Sequence, residues 1–241
     1  MELVKTVFGV GVETGCESPL EIRHVIGIGR NYAEHAGEMG GSVPERPMVF
    51  TKNPSAACLS GDEITIPALC RDNATGGPDQ VDFEAELAVI IGRAAKDVPE
   101  SRALEHVLGY CCANDVSARW WQKKGSGGQF CRGKSFDTFC PLGPRVVAPG
   151  EAGDVQSLSV VSRVNGEVMQ DGNTRDMIFP VATLIAELSR GTTLASGTVI
   201  LTGTPSGVGV ARTPPVWLRA GDVVEVEIGG LGVLKNRVVD G

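Results

Sequence analysis

The 241-residue chain lacks any apolar run approaching the roughly 20 residues that cross a bilayer, so no membrane partner is expected. Its first residues, MELVKTVFGV, are too short and wrongly flanked for a secretory signal. Basic excess is missing as well. Against 29 Asp and Glu stand 22 Lys and Arg, for a net charge of −7 and a pI of about 5.1, which argues against a nucleic-acid partner. No C-x-x-C occurs, and seven cysteines is an odd count. This reads as reduced, mostly buried thiols in an intracellular protein, cytoplasmic by expectation, with mitochondria as the other compartment open to it. No repeat, low-complexity tract or linker divides the chain. The expected organisation is a short N-terminal segment, 1–20, and one catalytic domain, 21–241.

What is present is 42% hydrophobic, with 32 Gly and 14 Pro, many at turn-like sites. That is enough to bury a sizeable core and favours a loop-rich β architecture. The stretch 81–92, VDFEAELAVIIG, reads as a strand. Phe83, Ala85, Leu87, Val89 and Ile91 form its apolar face, as in a half-buried strand. Glu84 and Glu86 share the other face. Neighbouring carboxylates stay ionised together only with compensation, and an all-oxygen site suits Mg²⁺, Mn²⁺ or Ca²⁺. A lone E-x-E is more often a solvated strand face, so the rest of the chain has to decide.

Upstream, 25–29 reads as a short buried strand, followed by a helix that Asn31 would cap with Glu34 as capping-box partner. His35 and Glu38 share a face of that helix. A carboxylate placed there orients an imidazole and raises its basicity, although a chance surface pair is the bland alternative. Downstream, Asp115 follows an apolar strand at 108–113, where either a third metal ligand or a helix N-cap would stand. Arg119 and Gln122, three apart, are suited to an oxygen-rich anion. Lys134 lies among small and apolar residues rather than in a charge run, as an oxyanion-stabilising or anion-binding cation would. The loop at 202–209, TGTPSGVG, offers hydroxyls and close backbone approach. It is not a P-loop, because no Gly-Lys-Ser/Thr follows it. Further strands are expected at 3–10, 48–52, 61–66, 198–201, 223–228 and 231–239. Asn165-Gly166 marks a hairpin. Helices are expected at 99–107 and 180–190, the latter with Val181, Leu184, Ile185 and Leu188 as its apolar stripe.

In this order, N-Y-x-x-H-x-x-E, E-x-E, N-D-V-S-A-R, G-K-S-F-D, T-G-T-P-x-G-V-G and G-D-x-V-E-V-E-I resemble the fumarylacetoacetate hydrolase family over about 25–239. The likeness is greatest to its short single-domain branch of acylpyruvate hydrolases, oxaloacetate decarboxylases and oxaloacetate tautomerases. The resemblance implies a mixed, β-rich α+β fold, the family's β-roll with short peripheral helices, assembled as a homodimer. It implies that Glu84, Glu86 and Asp115 ligate Mg²⁺ or Mn²⁺, and that His35 and Glu38 are a catalytic dyad on a lid segment. Lys134 would stabilise an oxyanion, and Arg119, Gln122 and Thr204 would hold a keto-acid substrate. The expected function is hydrolytic C–C cleavage of acylpyruvates or decarboxylation of oxaloacetate. The alternatives are a keto–enol tautomerase or hydroxyheptadienedioate isomerase and, from a different class, a silent metal-binding dimer module. Trp120 stands where family members often carry Asp after S-A-R, and the loop at 71–80 looks long for the family.

Overall fold

Apolar and β-branched residues fill His24–Gly29, Ala85–Ile91, Val107–Asn114 and Thr198–Leu201, and these form the middle of a seven-stranded mixed sheet. In space the order is Met48–Lys52, His24–Gly29, Thr198–Leu201, Ala85–Ile91, Val107–Asn114, Cys140–Val147, Ala57–Leu59. The computed structural model describes residues 1–71 and 79–241. The long loop expected at 71–80 therefore falls, for 72–78, outside the described residues.

The Ala85–Ile91 strand departs from the half-buried reading, because every residue in it is buried. Ala85, Leu87, Val89 and Ile91 join a core with Val160, Val226, Ile228 and Leu234 of a second sheet. On the other face, Ala88 and Ile90 pack with Val10, Val12 and Ile22. A strand covered on both sides carries apolar residues on both. Here the two glutamates disguise the covered face as a wet one.

The second sheet runs Glu167–Asn173, Ser159–Val164, Val223–Ile228, Gly232–Asp240, Glu63–Ile66. Its first hairpin turns at Asn165 and Gly166, with φ of 53° and 82°, the left-handed pair that a two-residue turn of matching twist requires. Val223–Ile228 keeps the clean alternation of a strand with one wetter face.

The N-terminal stretch 3–10 is not one strand. Leu3–Thr6 and Gly9–Val12 pair antiparallel around Val7 and Phe8, and Leu20–Glu21 adds to the second of them. Apolar alternation alone does not separate a strand from a tight hairpin, whereas the hairpin gives each short segment partners for its backbone groups. The helix expected at 99–107 is a 3₁₀ segment, Glu100–His106. Val181–Ser189 is the expected amphipathic helix, with Pro180 just before its first turn and Leu184 and Ile185 in the core. Five cysteines are buried, Cys16 and Cys131 are exposed, and all seven are free thiols. Among the described residues no helix is long and apolar enough to cross a membrane. The architecture is thus mixed and β-rich, with short helices at its margins.

Candidate active site

Register brings the acidic residues together. Ala85 pairs with Asn114 and Glu86 with Ala113 across the two central strands. Glu84 lies in the break between Val81–Asp82 and Ala85–Ile91. Its N–H donates to Asn114 Oδ1 at 3.0 Å, and its carbonyl accepts the Asp115 N–H at 2.8 Å. Glu84, Glu86 and Asp115 are all buried, and one carboxylate oxygen from each lies within 4.8 Å of the others. Asp115 is not a helix cap, since the next helix, Arg119–Lys123, starts after Ala118.

The compensation is unequal. The Lys134 ammonium bridges Glu84 Oε2 and Asp115 Oδ2 at 2.6 Å each and lies 4.9 Å from the Phe50 ring centre. Arg119 Nη1 meets Glu84 Oε1 at 2.7 Å, while its Nε donates to Asp82 Oδ2 at 2.8 Å. Lys52, fully buried, donates to Asp115 Oδ1 and to the Val116 carbonyl. Burial pushes the Glu84 carboxyl up, but the Lys134 and Arg119 charges outweigh it and hold that carboxyl far below its usual range. Glu86 goes the other way. Burial, then the Asp115 and Glu84 charges, drive it well above the carboxylate range, against the Lys134 charge and one N–H from Gly203 at 2.7 Å. Three buried hard-oxygen donors within reach of one point, one of them short of positive charge, fit a divalent cation.

His35 is buried on the short helix Ala33–Glu38. Its Nδ1 contacts Glu38 Oε1 at 2.7 Å, and both Glu38 oxygens accept the Gly207 N–H at 3.2 and 3.0 Å. The dyad is thereby tied to the loop that also supplies Gly203 and Thr204. Asn31 is not the cap of this helix. Tyr32 occupies that position without a side-chain cap, while the buried Asn31 amide donates to the carbonyls of Phe179 and Thr202 and accepts the Phe179 N–H. Its three bonds to a loop and a strand end outweigh a single local cap.

His35, Glu84, Glu86, Arg119, Gln122, Lys134 and Thr204 line one cavity of about 50 Å³. The wall already engages part of the set. Gln122 Oε1 accepts from Arg119 at 3.1 Å. The Thr204 hydroxyl donates to the Ala85 carbonyl at 2.9 Å and accepts from Gln170 at 2.7 Å. The sequence reasoning missed Lys52, Asp82 and Gln170. Gln170 also accepts the Ala85 N–H at 3.0 Å, and Asp82 further holds the N–H groups of Gly209 and Val210. The one local sign was polarity inside β-prone runs, as for Lys52 at the end of Met48–Lys52. Trp120 packs edge-on against Trp121, with ring centres 4.9 Å apart, and is not among the residues lining this cavity.

The model of the fumarylacetoacetate (FAA) hydrolase C-terminal family matches residues 24–239. This chain belongs to the fumarylacetoacetate hydrolase family. It is 47% identical, over 89% of its length, to a mitochondrial oxaloacetate tautomerase of Xenopus laevis, of which it spans 65%. A fumarylacetoacetate hydrolase from Exiguobacterium antarcticum superposes with a TM-score of 0.80 at 45% identity, over 92% of this chain and 77% of that one. A 5-carboxymethyl-2-hydroxymuconate delta-isomerase from Mycobacterium smegmatis does so with 0.79 at 39%, over 93% and 79%. The fumarylacetoacetate hydrolase fold thus holds His35, Glu84 and Glu86 against the same cavity.

Proposed function

We propose that this protein is a divalent-metal-dependent enzyme of β-keto acids that interconverts enol and keto forms, with oxaloacetate as the model substrate. The observation that carries this reading is that His35, Lys134, Glu84 and Glu86 line one small cavity, with Glu38 bonded to His35 behind it and Asp115 completing the carboxylate cluster. Support comes also from relatives described as an oxaloacetate tautomerase and a muconate isomerase. The expectation that put hydrolysis or decarboxylation first is reordered accordingly.

A bound divalent ion, held by Glu84, Glu86 and Asp115, would polarise substrate oxygens and fix their orientation. The remaining chemistry falls to the chain. With its proton on Nδ1 and directed at Glu38, His35 presents Nε2 as a base. Conversion of an enol to a ketone takes a proton from the C2 hydroxyl and places one on C3. His35 Nε2 accepts the first and returns it to carbon. Lys134 offsets the negative charge on oxygen while the proton is in transit. Arg119 reaches the substrate chiefly by holding Glu84 and Gln122 in place, and the Gln122 amide N–H groups are left for a substrate oxygen. The same proposal carries a homodimer as the assembly, to be checked by light scattering.

A second reading, hydrolysis of acylpyruvates, is favoured by the hydrolase relative of 45% identity, since the same dyad would deprotonate a water. Oxaloacetate and a short acylpyruvate, each with Mg²⁺ and with EDTA, decide between them. Metal-dependent loss of the oxaloacetate enol band without CO₂ or pyruvate is the expected result. Pyruvate released from the acylpyruvate, with no effect on enol decay, would overturn it in favour of hydrolysis.

A further inference from the structure

Four cations line the cavity: Arg30, Arg119, Lys123 and Lys134. Two are committed, Arg119 to Asp82 and Glu84, and Lys134 to Glu84 and Asp115. Among the described residues, Arg30 and Lys123 form no ion pair. They lie close enough for the Arg30 charge, after burial and the Arg119 charge, to help depress the Lys123 amine. Two like charges facing one mouth are unfavourable unless something anionic comes between them. Arg30 also lines the adjoining groove of about 420 Å³, which shares Phe50 and Phe130 with the cavity. Arg30 therefore stands where inner cavity and outer groove meet. The backbone of Arg30 has a φ of 56°, a conformation that costs a non-glycine residue energy. The guanidinium lies against Gly41, where an added Cβ would come 2.5 Å from Nη1.

We infer that Arg30, with Lys123 beside it, is the specificity site for a second carboxylate on the substrate, at the end remote from Glu84, Glu86 and Asp115. The protein would then select keto acids charged at both ends over those with a neutral tail. The inference rests on the keto-acid reading above and names the substrate class within it. A guanidinium suits this task because its fork takes a carboxylate by two parallel hydrogen bonds. The apolar groove beyond it, with Met48, Phe50 and Phe130, gives a neutral tail room but no charged partner.

The test compares oxaloacetate with its C4 methyl ester, the same chain with one charge masked, in wild type, R30Q, R30K and G41A, all with Mg²⁺. R30Q should lower kcat/KM for oxaloacetate by about 30-fold, the range of a lost charge-assisted bond, through KM rather than kcat. The ester should change by no more than about threefold on the same reasoning. R30K should recover part of the loss. G41A keeps the arginine but fills its seat, and should move the two substrates apart in the same direction by less. Equal losses on both substrates, or a loss confined to kcat, would overturn the inference. Calorimetric binding of malonate, an unreactive dicarboxylate, separates this claim from the reaction. If wild type turns over neither keto acid but binds malonate, and R30Q does not, the reaction is wrong and the carboxylate site stands. If malonate binds both equally, the carboxylate site falls.

Discussion

The two sheets of this protein treat charge in opposite ways. In the five-stranded sheet, ion pairs lie on the wet face: Arg163 meets Glu227 at 2.7 Å and Lys235 meets Glu225 at 2.9 Å, with the basic side chains 30% and 61% exposed. At the end of the seven-stranded sheet, Asp82, Glu84, Glu86 and Asp115 are all buried, and three cations, Lys52, Arg119 and Lys134, are buried with them. Both sheets use the same strand-forming residues. The difference is cover. Water screens the first set, so its geometry decides little. The second set is desolvated, so each group depends on specific partners. That dependence fixes the positions of the carboxylates before any ligand arrives, at a cost to stability that a purely apolar wall would avoid.

The sharpest break in this contrast is E84A. It removes a proposed metal ligand and leaves Arg119 and Lys134 each one partner short. Metal-dependent turnover should fall by more than about 10³-fold, and a steady-state assay with added Mn²⁺ that finds full activity would discard the site assignment. H35A should lower kcat by about 10²–10⁴-fold while Mn²⁺ affinity, followed by paramagnetic resonance, stays as in wild type. A large loss of metal binding would place His35 among the ligands instead. K52M should destabilise folding by about 3 kcal/mol in urea titration, because Asp115 stays buried with one cation fewer. On the other sheet, G166A places a Cβ at a φ of 82° and should cost about 1 kcal/mol. K235Q breaks an exposed pair and should change stability by less than about 0.5 kcal/mol. A K235Q loss as large as that of K52M would erase the distinction between the two sheets.

Much of this was legible along the chain. The Asn165-Gly166 turn, the Val223–Ile228 strand and the Val181–Ser189 helix follow from local periodicity and turn chemistry, which operate over a few residues. So does the pairing of His35 with Glu38, three apart on one helical turn. The half-buried reading of Ala85–Ile91 failed because what covers its second face, Val10, Val12 and Ile22, lies more than sixty residues away. The expected Asn31 cap failed for a similar reason, since its partners are at Thr202 and Phe179.

By itself, then, the sequence determined the family to which the chain belongs and its local elements, the Asn165-Gly166 turn and the Val181–Ser189 helix among them, because turn chemistry and periodicity operate over a few residues. Only the tertiary structure decided that Asp115 stands opposite Glu84, that Lys52 and Lys134 share its charge, and that Arg119 is spent on Asp82 and Glu84 while Arg30 is not. Those pairings join residues 19 to 63 positions apart. Strand order and register bring them together, and burial is what makes each pairing matter.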